Sequence, residues 1–375
     1  MSEQAIVFQI VDDLDGFRAL KREWDELLQI ARGDYFQSFA FCHSTLESGP
    51  QDLRQRLHCI IGRKEGKLVV VWPLVTFKKG LLKCVGPLTP PNRSPSDVLI
   101  APSVGVKDAA RQVLRFVVRS GKAALVELWR VRLSSPLCES LEGNAAVARW
   151  SEEVTPMVAN NGHADWKAFA TSRVGRTRTP PDYVKRRLEN NMAIRFEFVD
   201  RSDARIGSLI EWFTQHKREW AKDNGISSLW IDSEDSVKFW RELLLNGADA
   251  PCQFRMMVLS SDQEPLAVNI IAVCNHSTYL VANTYDKKYS KLSPGTVIID
   301  YWVKWAFEQG LNIDFGPGDQ QYKTYWSGGL TYKSASFLIL ASRWARLAYA
   351  GKQAAQQAFK RVKRHQPGQR LAQST

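Results

Sequence analysis

The pattern of apolar and polar residues between positions 279 and 310 predicts a strand followed by an amphipathic helix. Residues 279–284 alternate with a period of two, which is typical of a strand, and a Ser-Pro-Gly sequence at 293–295 then breaks the pattern. Thr296 is predicted to be the helix N-cap, and apolar residues recur after it at helical spacing. Gly310 is predicted to end the helix. The other candidate functional residues lie around this unit.

The remaining elements form two similar series, each with helices followed by strands. In the first half the sequence predicts strand 6–11, helix 14–30, strands 56–62, 68–77 and 82–85, helix 108–121 and strand 125–131. In the second half it predicts strand 194–199, helices 206–222 and 236–245, strands 254–259, 266–274 and 278–282, and, beyond the central helix, strands 312–315 and 336–340, the last closing the lobe. Residues 132–165 look irregular apart from a strand near 154–158, and the boundary between the lobes is expected there. This order predicts an α/β fold of the α+β type, with mostly antiparallel sheets.

Length and composition indicate a globular protein with two domains. A chain of 375 residues is long enough for two domains with sizeable cores. No apolar run reaches the 18 or so residues that a spanning helix needs. The first residues include several acids and lack a basic segment, so no signal peptide is predicted and the protein is expected to stay in the cytoplasm.

Cysteine and histidine are dispersed along the chain. The six cysteines show no C-x-x-C spacing and are predicted to be reduced and buried. The six histidines form no recognisable ligand set, so no metal site is predicted.

The net charge of +12 is unevenly distributed. No acidic residue follows Asp319, whereas the last 56 positions carry ten Lys or Arg, and a second basic block runs from 167 to 187. These blocks predict anionic partners, such as cofactor phosphates, tRNA, an anionic lipid surface or an acidic glycan. Residues 344–362 are predicted to form a basic amphipathic helix. It would either lie on the inner face of an anionic membrane or dock on its own protein.

The start of the central helix is a candidate anion site. A turn that contains glycine leaves backbone N–H groups at the positive end of a helix, where a phosphate can bind. The residues predicted to bind a phosphate-bearing donor are Ser293, Gly295 and Thr296. An ordinary helix N-terminus without a ligand is the alternative.

Residues 264–326 carry a series of short motifs that together resemble a known family. In order, they are Glu264-Pro265-Leu266-Ala267, Tyr285-Asp286, Ser293-Pro294-Gly295, Gly310, Asp314-Phe315-Gly316-Pro317-Gly318, Tyr322-Lys323 and Trp326. In this combination the chain resembles the GNAT-like proteins of the cellulose-biosynthesis CelD type, which are related to the Fem peptidyltransferases. The resemblance is clear over residues 183–330 and looser over 1–150.

The resemblance implies two tandem GNAT-like domains, each a mixed, mostly antiparallel sheet flanked by helices. The implied divisions are a degenerate GNAT-like domain at 1–160, a basic connecting helix and strand at 161–205, a catalytic GNAT-like domain at 206–340, and a basic tail helix at 341–375.

The resemblance also implies direct acyl transfer to an amine, which needs no covalent nucleophile. The candidate catalytic residues are Lys323, Asp319, Tyr322, Asp286 and Tyr285. A Lys beside an aromatic residue stabilises transition-state charge in the Fem relatives, and Tyr322-Lys323 matches that position. Asp319 is a candidate to orient or deprotonate the amine, and Tyr285 or Tyr325 to protonate the leaving group. The alternative is that these polar residues cap the Gly-rich loop and pair with each other.

The implied donor is acetyl-CoA or another acyl-CoA, although only Ser-Pro-Gly-Thr remains of the usual GNAT phosphate loop. The basic helix near Asp182 lies between the lobes in the relatives, so Lys185, Arg186 and Arg187, with Trp326, are predicted to form a substrate groove. A solvated helix face is the alternative for the three cations, and a core position is the alternative for Trp326.

The sequence thus predicts a GNAT-type N-acyltransferase acting on an amino sugar or related precursor in exopolysaccharide or cell-envelope synthesis. Two alternatives remain: a Fem-like aminoacyl-tRNA-dependent transferase, and a catalytically degenerate scaffold that binds a lipid or nucleotide through its basic tail.

Overall fold

The computed structural model describes residues 5–364, except 51–52, 54–55, 92–93, 121–122, 161, 174–180, 248–250 and 263. Within this part of the chain, no helix is both long enough and apolar enough to cross a membrane.

The first half of the chain builds helices onto two groups of strands. Its strands are β1 (Val7–Val11), β2 (Cys59–Lys64), β3 (Lys67–Trp72), β4 (Leu74–Lys79), β5 (Leu82–Pro87), β6 (Leu99–Ile100), β7 (Leu125–Arg132) and β8 (Val147–Val158). Its helices are α1 (Leu14–Ala19), α2 (Lys21–Ile30), α3 (Phe39–Ser48), α4 (Val106–Ser120) and α5 (Pro136–Leu141), with a 3-10 turn at Tyr35–Gln37. Residues 132–165, predicted to be largely irregular, therefore contain a helix and a 12-residue strand.

The second half repeats the same order. Its helices are α6 (Trp166–Thr171), α7 (Pro181–Glu189), α8 (Ile206–Asp223), α9 (Leu229–Asp232), α10 (Glu234–Asn246), α11 (Pro294–Glu308), α12 (Gln321–Ser327) and α13 (Arg343–Arg364). Its strands are β9 (Arg195–Val199), β10 (Cys252–Ser261), β11 (Glu264–Cys274), β12 (Ser277–Tyr285), β13 (Asn312–Asp314) and β14 (Thr331–Leu340). Two parallel pairs, β5–β7 and β12–β13, occupy equivalent places in the two halves, and the other described pairs are antiparallel.

The predicted strand 68–77 is divided by Pro73 into β3 and β4, which enter different sheets. The sheets have the strand orders β1-β2-β3-β6 and β4-β5-β7-β14-β8-β13-β12-β11-β10-β9. Proline has no N–H to donate to a ladder, so the chain turns there, and the Pro73 carbonyl accepts from the Leu88 N–H at 3.0 Å.

The ten-stranded sheet joins the halves by an exchange of strands. Strand β14 of the second half lies between β7 and β8 of the first half and is antiparallel to both. Strand β8 in turn pairs with β13 of the second half. The stretch 336–340, predicted to close the second lobe, therefore lies in the middle of a shared sheet. The register of this exchange depends on contacts between distant segments, which a local pattern does not encode.

The N-cap of helix α11 lies three residues before the predicted N-cap, Thr296. Ser293 is the N-cap and adopts the left-handed region (φ 58°), and Pro294 occupies the first turn, where its missing N–H costs nothing. Thr296 lies inside the helix, and its N–H donates to the Ser293 carbonyl at 3.0 Å. The predicted stop is correct, since the helix ends at Glu308 and Gly310 follows with φ 70°.

Candidate active site

A cavity of about 530 Å³ lies where β12 and β13 separate. The two strands pair in parallel only over residues 277–279 and 312–314, and beyond this point they diverge. Helices α8, α9, α10 and α12 and strand β7 supply the remaining walls. The polar and aromatic side chains of the wall are Arg130, Thr214, Lys217, Trp220, Ser228, Trp230, Ser236, Trp240, Asn283, Phe315, Gln320, Tyr322 and Lys323.

Lys323 is held at this wall by the Gly-rich loop that follows β13. Its Nζ donates to the carbonyl of Pro317 at 2.7 Å and to that of Gly316 at 3.1 Å. The residue is only 5% exposed, and burial lowers its pKa to about 8. An ammonium has three donors, so one remains beyond these two bonds. The neighbouring Tyr322 lines the same cavity, and burial raises its pKa.

Lys217 of α8 is a second cation at the cavity, and the sequence analysis missed it. Its Nζ donates to the Asn283 carbonyl at 3.0 Å and lies 4.0 Å from the ring centroid of Trp220. Burial lowers its pKa to about 8, and its charge also lowers the pKa of Lys323. A single lysine within an amphipathic helix carries no sequence signal that would distinguish it from a surface residue.

Arg130 of β7 is the third cation of the wall. It has φ 47°, an unfavourable conformation for a residue with a side chain, and its N–H donates to the Ser336 hydroxyl of β14 at 3.1 Å. Its side chain pairs with Glu153 at 2.8 Å. Arg130 also lines a second, smaller cavity of about 110 Å³, which shares several wall residues with the first and has Arg132 in its own wall. The strained backbone thus places the Arg130 side chain in the walls of both cavities.

Arg132, in the wall of the smaller cavity, belongs to a partly buried polar network that connects the two halves. Arg132 of β7 pairs with Asp34 at 3.2 Å and with Asp314 at 3.3 Å. Tyr332 donates to Asp314 at 2.8 Å, and Tyr279 donates to Asp34. Burial raises the pKa of Asp314, although the nearby Arg132 opposes the shift. The network therefore fixes β13, and with it the loop that holds Lys323.

The start of α11, the predicted phosphate site, lies beside the basic helix α7. The Arg187 guanidinium donates from Nη2 to the Ser293 hydroxyl at 3.0 Å. A Cβ on Gly295 would lie 3.0 Å from the Tyr285 ring, so this position tolerates no larger residue without a shift of the ring. The structure thus brings one predicted groove residue, Arg187, to the predicted phosphate residues. Tyr285 packs against this helix start and is not among the residues that line the cavity.

Three other predicted site residues have local structural partners or face solvent. Asp286 accepts from the Lys288 N–H at 2.8 Å and caps the 3-10 helix Lys287–Leu292. Asp319 is exposed, although its charge acts on Lys323. Lys185 pairs with Glu189 at 3.4 Å on the surface of α7. Their predicted roles remain predictions.

The sequence predicts Trp326 as a groove residue, but in the structure it lies in the core. It is fully buried, stacks on Phe169 at a centroid distance of 5.9 Å, and donates from Nε1 to Asp300 at 2.9 Å. Together with Trp166 and Phe307 it belongs to the core beneath β12 and β13. The indole joins α12 to α11, so its role in this structure is packing.

Comparison with known proteins identifies the domain that contains this site. Residues 176–324 match the acetyltransferase (GNAT) domain family. No curated protein sequence matches the chain. Among solved structures, FemX superposes with a TM-score of 0.57 at 11% identity, over 85% of this chain and 95% of that one. The C-terminal domain of a putative lysylphosphatidylglycerol synthetase from Agrobacterium fabrum gives 0.52 at 11% identity, over 89% and 95%. L-PGS from Bacillus licheniformis gives 0.50 at 13% identity, over 80% and 91%.

At these identities the structural likeness concerns the fold alone. The order of elements in both halves, with a parallel pair at the same place in each, agrees with the predicted tandem GNAT-like architecture. The predicted fold class and the predicted reaction class are both confirmed. Residues 176–324 therefore form a GNAT acetyltransferase domain.

Proposed function

We propose that the protein is an N-acyltransferase that moves an acyl group from acyl-CoA, with acetyl-CoA as the expected donor, to the amine of an amino sugar or a related precursor in exopolysaccharide or cell-envelope synthesis. The observation that carries the proposal is the position of Lys323. Its ammonium is held by two carbonyls at the wall of a cavity formed where β12 and β13 diverge.

The reaction requires stabilisation of negative charge on one oxygen. The acceptor nitrogen forms a bond to the acyl carbon, the carbon–sulfur bond breaks, and the amine proton leaves with the departing thiol or through water. The oxygen of the tetrahedral intermediate carries the charge in between. The Lys323 ammonium supplies a donor and a positive charge in a partly desolvated wall, where such an interaction is stronger than in water. Its two carbonyl bonds hold it in place before substrate binds.

The donor's phosphates fit the start of α11. Arg187 contributes a cation, Ser293 a hydroxyl, and the helix its positive end, a combination that suits phosphate. Arg187 Nε is buried and makes no hydrogen bond within the described part of the chain, which leaves a donor available to a ligand. Two N–H groups of the first turn, those of Thr296 and Val297, bond the Ser293 carbonyl instead, so the side chains carry most of the recognition.

The walls of the cavity favour an acceptor that combines a ring with negative charge. Lys217 and Lys323 contribute two cations beside the Arg130–Glu153 ion pair, and the described lining contains no carboxylate. Trp220 and Trp230 provide flat apolar surfaces of the kind that stack on sugar rings. An amino sugar that bears a phosphate or carboxylate meets both requirements.

Donor binding can be tested by thermal stabilisation with acetyl-CoA and with desulfo-coenzyme A. We expect a clear rise in Tm that is strongly reduced in Arg187→Gln. It should be retained in Arg186→Gln, which removes the neighbouring, exposed cation. A screen of amino sugars for release of free coenzyme A would then identify the acceptor. No stabilisation at millimolar ligand would contradict the acyl-CoA proposal.

The basic face of α7 supports a second candidate, an aminoacyl-tRNA-dependent transferase. Arg187 lies at the start of α11, and Arg186 beside it is exposed to solvent. Both donor types present phosphates, so the same residues would serve either one. Binding of tRNA whose affinity falls steeply with salt, together with the absence of a coenzyme A effect, would favour this candidate.

A further inference from the structure

The tail helix α13 uses one face to pack against its own protein. Ala345 is buried, and Tyr349 packs beside it, in a small apolar cluster with residues of β5, β7 and β14. The Ser342 N–H donates to the Ala124 carbonyl at 3.1 Å and fixes the helix start beside the first residue of β7. Residues at positions i and i+4, such as 345 and 349, share one face of a helix. The orientation of α13 is therefore set by its first turns.

The opposite face of α13 leaves large apolar side chains in solvent. Trp344 is 64% exposed and Leu347 is 62% exposed, and Ala348 beside them is also exposed. Positions 344, 347 and 348 form one stripe by helical spacing. This stripe makes no part of the packing face, so burial within the described protein does not explain it.

The hairpin between β4 and β5 places another apolar side chain at the same edge. Leu81 at its tip is fully exposed, whereas the next residue, Leu82, packs into the cluster that contains Ala345. Because Leu82 and Ala345 share that cluster, the hairpin tip and the first turns of α13 are neighbours. Leu81, Trp344 and Leu347 therefore project from two separate elements at one edge of the molecule.

The surroundings of these three residues are basic. Exposed cations within five positions of them in the sequence include Lys78 and Lys83 on the hairpin and Arg343, Arg346 and Lys352 on the helix. The sequence contains no acidic residue between positions 66 and 96, or after position 319. The edge thus combines separate exposed apolar side chains with positively charged ones.

We call this surface the basic apolar edge; it consists of Leu81, Trp344, Leu347 and the five cations around them. We propose that the basic apolar edge binds the surface of an anionic lipid bilayer. Apolar tips on separate elements suit shallow insertion between lipid headgroups, where Trp and Leu are favoured. The cations would lie at the headgroup level and attract anionic lipid. A protein partner would more commonly contact a continuous apolar patch with few charges at its centre.

The proposal can be tested with the full chain and vesicles of defined composition. Flotation with vesicles of phosphatidylcholine and phosphatidylglycerol should carry the protein, while vesicles of phosphatidylcholine alone should not. The Leu81→Ser/Leu347→Ser double variant should bind at least about tenfold more weakly, because each substitution removes an apolar side chain that would be buried in the bilayer. Leu229→Ser is the matched control, because Leu229 is 90% exposed but lies on α9.

A fluorescent label reports insertion directly. All six native cysteines are buried, so a new surface cysteine can be labelled selectively. An environment-sensitive dye on Leu81→Cys or Leu347→Cys should shift to the blue with anionic vesicles, and a dye on Leu229→Cys should not. Equal flotation of the double variant, equal binding to neutral vesicles, or binding to duplex RNA without binding to vesicles would each overturn the proposal.

Discussion

Arg132 and Asp314 form an ion pair between residues 182 positions apart in the sequence, with Nη2 and Oδ2 separated by 3.3 Å. Arg132 belongs to β7 of the first half, and Asp314 ends β13 of the second. Replacing Arg132 by Met removes the cation and leaves the carboxylates of Asp34 and Asp314 partly buried without it. We expect a loss of about 1–3 kcal/mol in the free energy of unfolding, measured by urea denaturation, because the Arg132 side chain is partly exposed.

Arg111→Met provides the control for this loss. Arg111 also pairs with an aspartate, Asp108, but both side chains are exposed, so its removal should cost less than about 1 kcal/mol. If Arg132→Met proved as stable as Arg111→Met, the network could not be the connection that holds the two halves together.

The protonation of Lys323 should limit activity at high pH. Its folded pKa is lowered to about 8 by burial, so the stabilising cation is lost as pH rises through that value. We expect kcat/KM to fall above about pH 8, which gives the pH profile a basic limb. In Lys323→Arg this limb should move to higher pH, because arginine stays charged. Lys217 has a similar pKa, so Lys217→Arg must be measured in parallel. A limb that persists in Lys323→Arg and moves only in Lys217→Arg would show that the role belongs to Lys217.

Lys217 should act mainly in acceptor binding. Lys217→Met removes a charge from the cavity wall but leaves the Lys323 bonds to Gly316 and Pro317 in place. We expect KM for an anionic acceptor to rise about tenfold or more with a smaller change in kcat. Lys222→Met, on the exposed end of the same helix, should leave both constants unchanged. A large fall in kcat with unchanged KM would instead place Lys217 in the chemical step.

Trp326 should matter for stability rather than for substrate. Trp326→Ala removes a fully buried indole and its bond to Asp300, and we expect a loss of about 3–5 kcal/mol in unfolding free energy. Trp344→Ala, at an exposed position, should change it by no more than about 0.5 kcal/mol. Acceptor KM should be unchanged in the more conservative Trp326→Phe. An altered KM in that stable variant would restore Trp326 to the groove.

Local sequence patterns predicted the parts of the site that depend on neighbours in the chain. The helix from 294 to 308 and its glycine stop follow from spacing and turn chemistry. The Gly-rich loop and the Tyr322-Lys323 pair that follows it were found through a combination of short motifs. Both are properties of contiguous residues, which is why a single sequence carries them.

The missed residues depend on contacts between distant segments. Lys217 and Arg130 reach the cavity because α8 and β7 are brought to β12 by tertiary packing. Trp326 was misassigned because an aromatic residue near a glycine-rich loop gives no indication of whether a core lies beneath it. The break at Pro73, by contrast, had a visible cause, since proline inside a predicted strand argues against a continuous strand.

The exchange of β8 and β14 also constrains how the molecule is assembled during synthesis. Strand β14 is translated after every other strand described, yet it occupies an internal position of the shared sheet, with β7 on one side and β8 on the other. Until it arrives, β7 and β8 each have an edge with unpaired backbone groups, which invites pairing with another chain. A nascent chain of this protein therefore cannot complete its first half and then its second. The shared sheet is completed only after β14 has been synthesised, and a chain cut before residue 331 lacks the strand that joins β7 to β8.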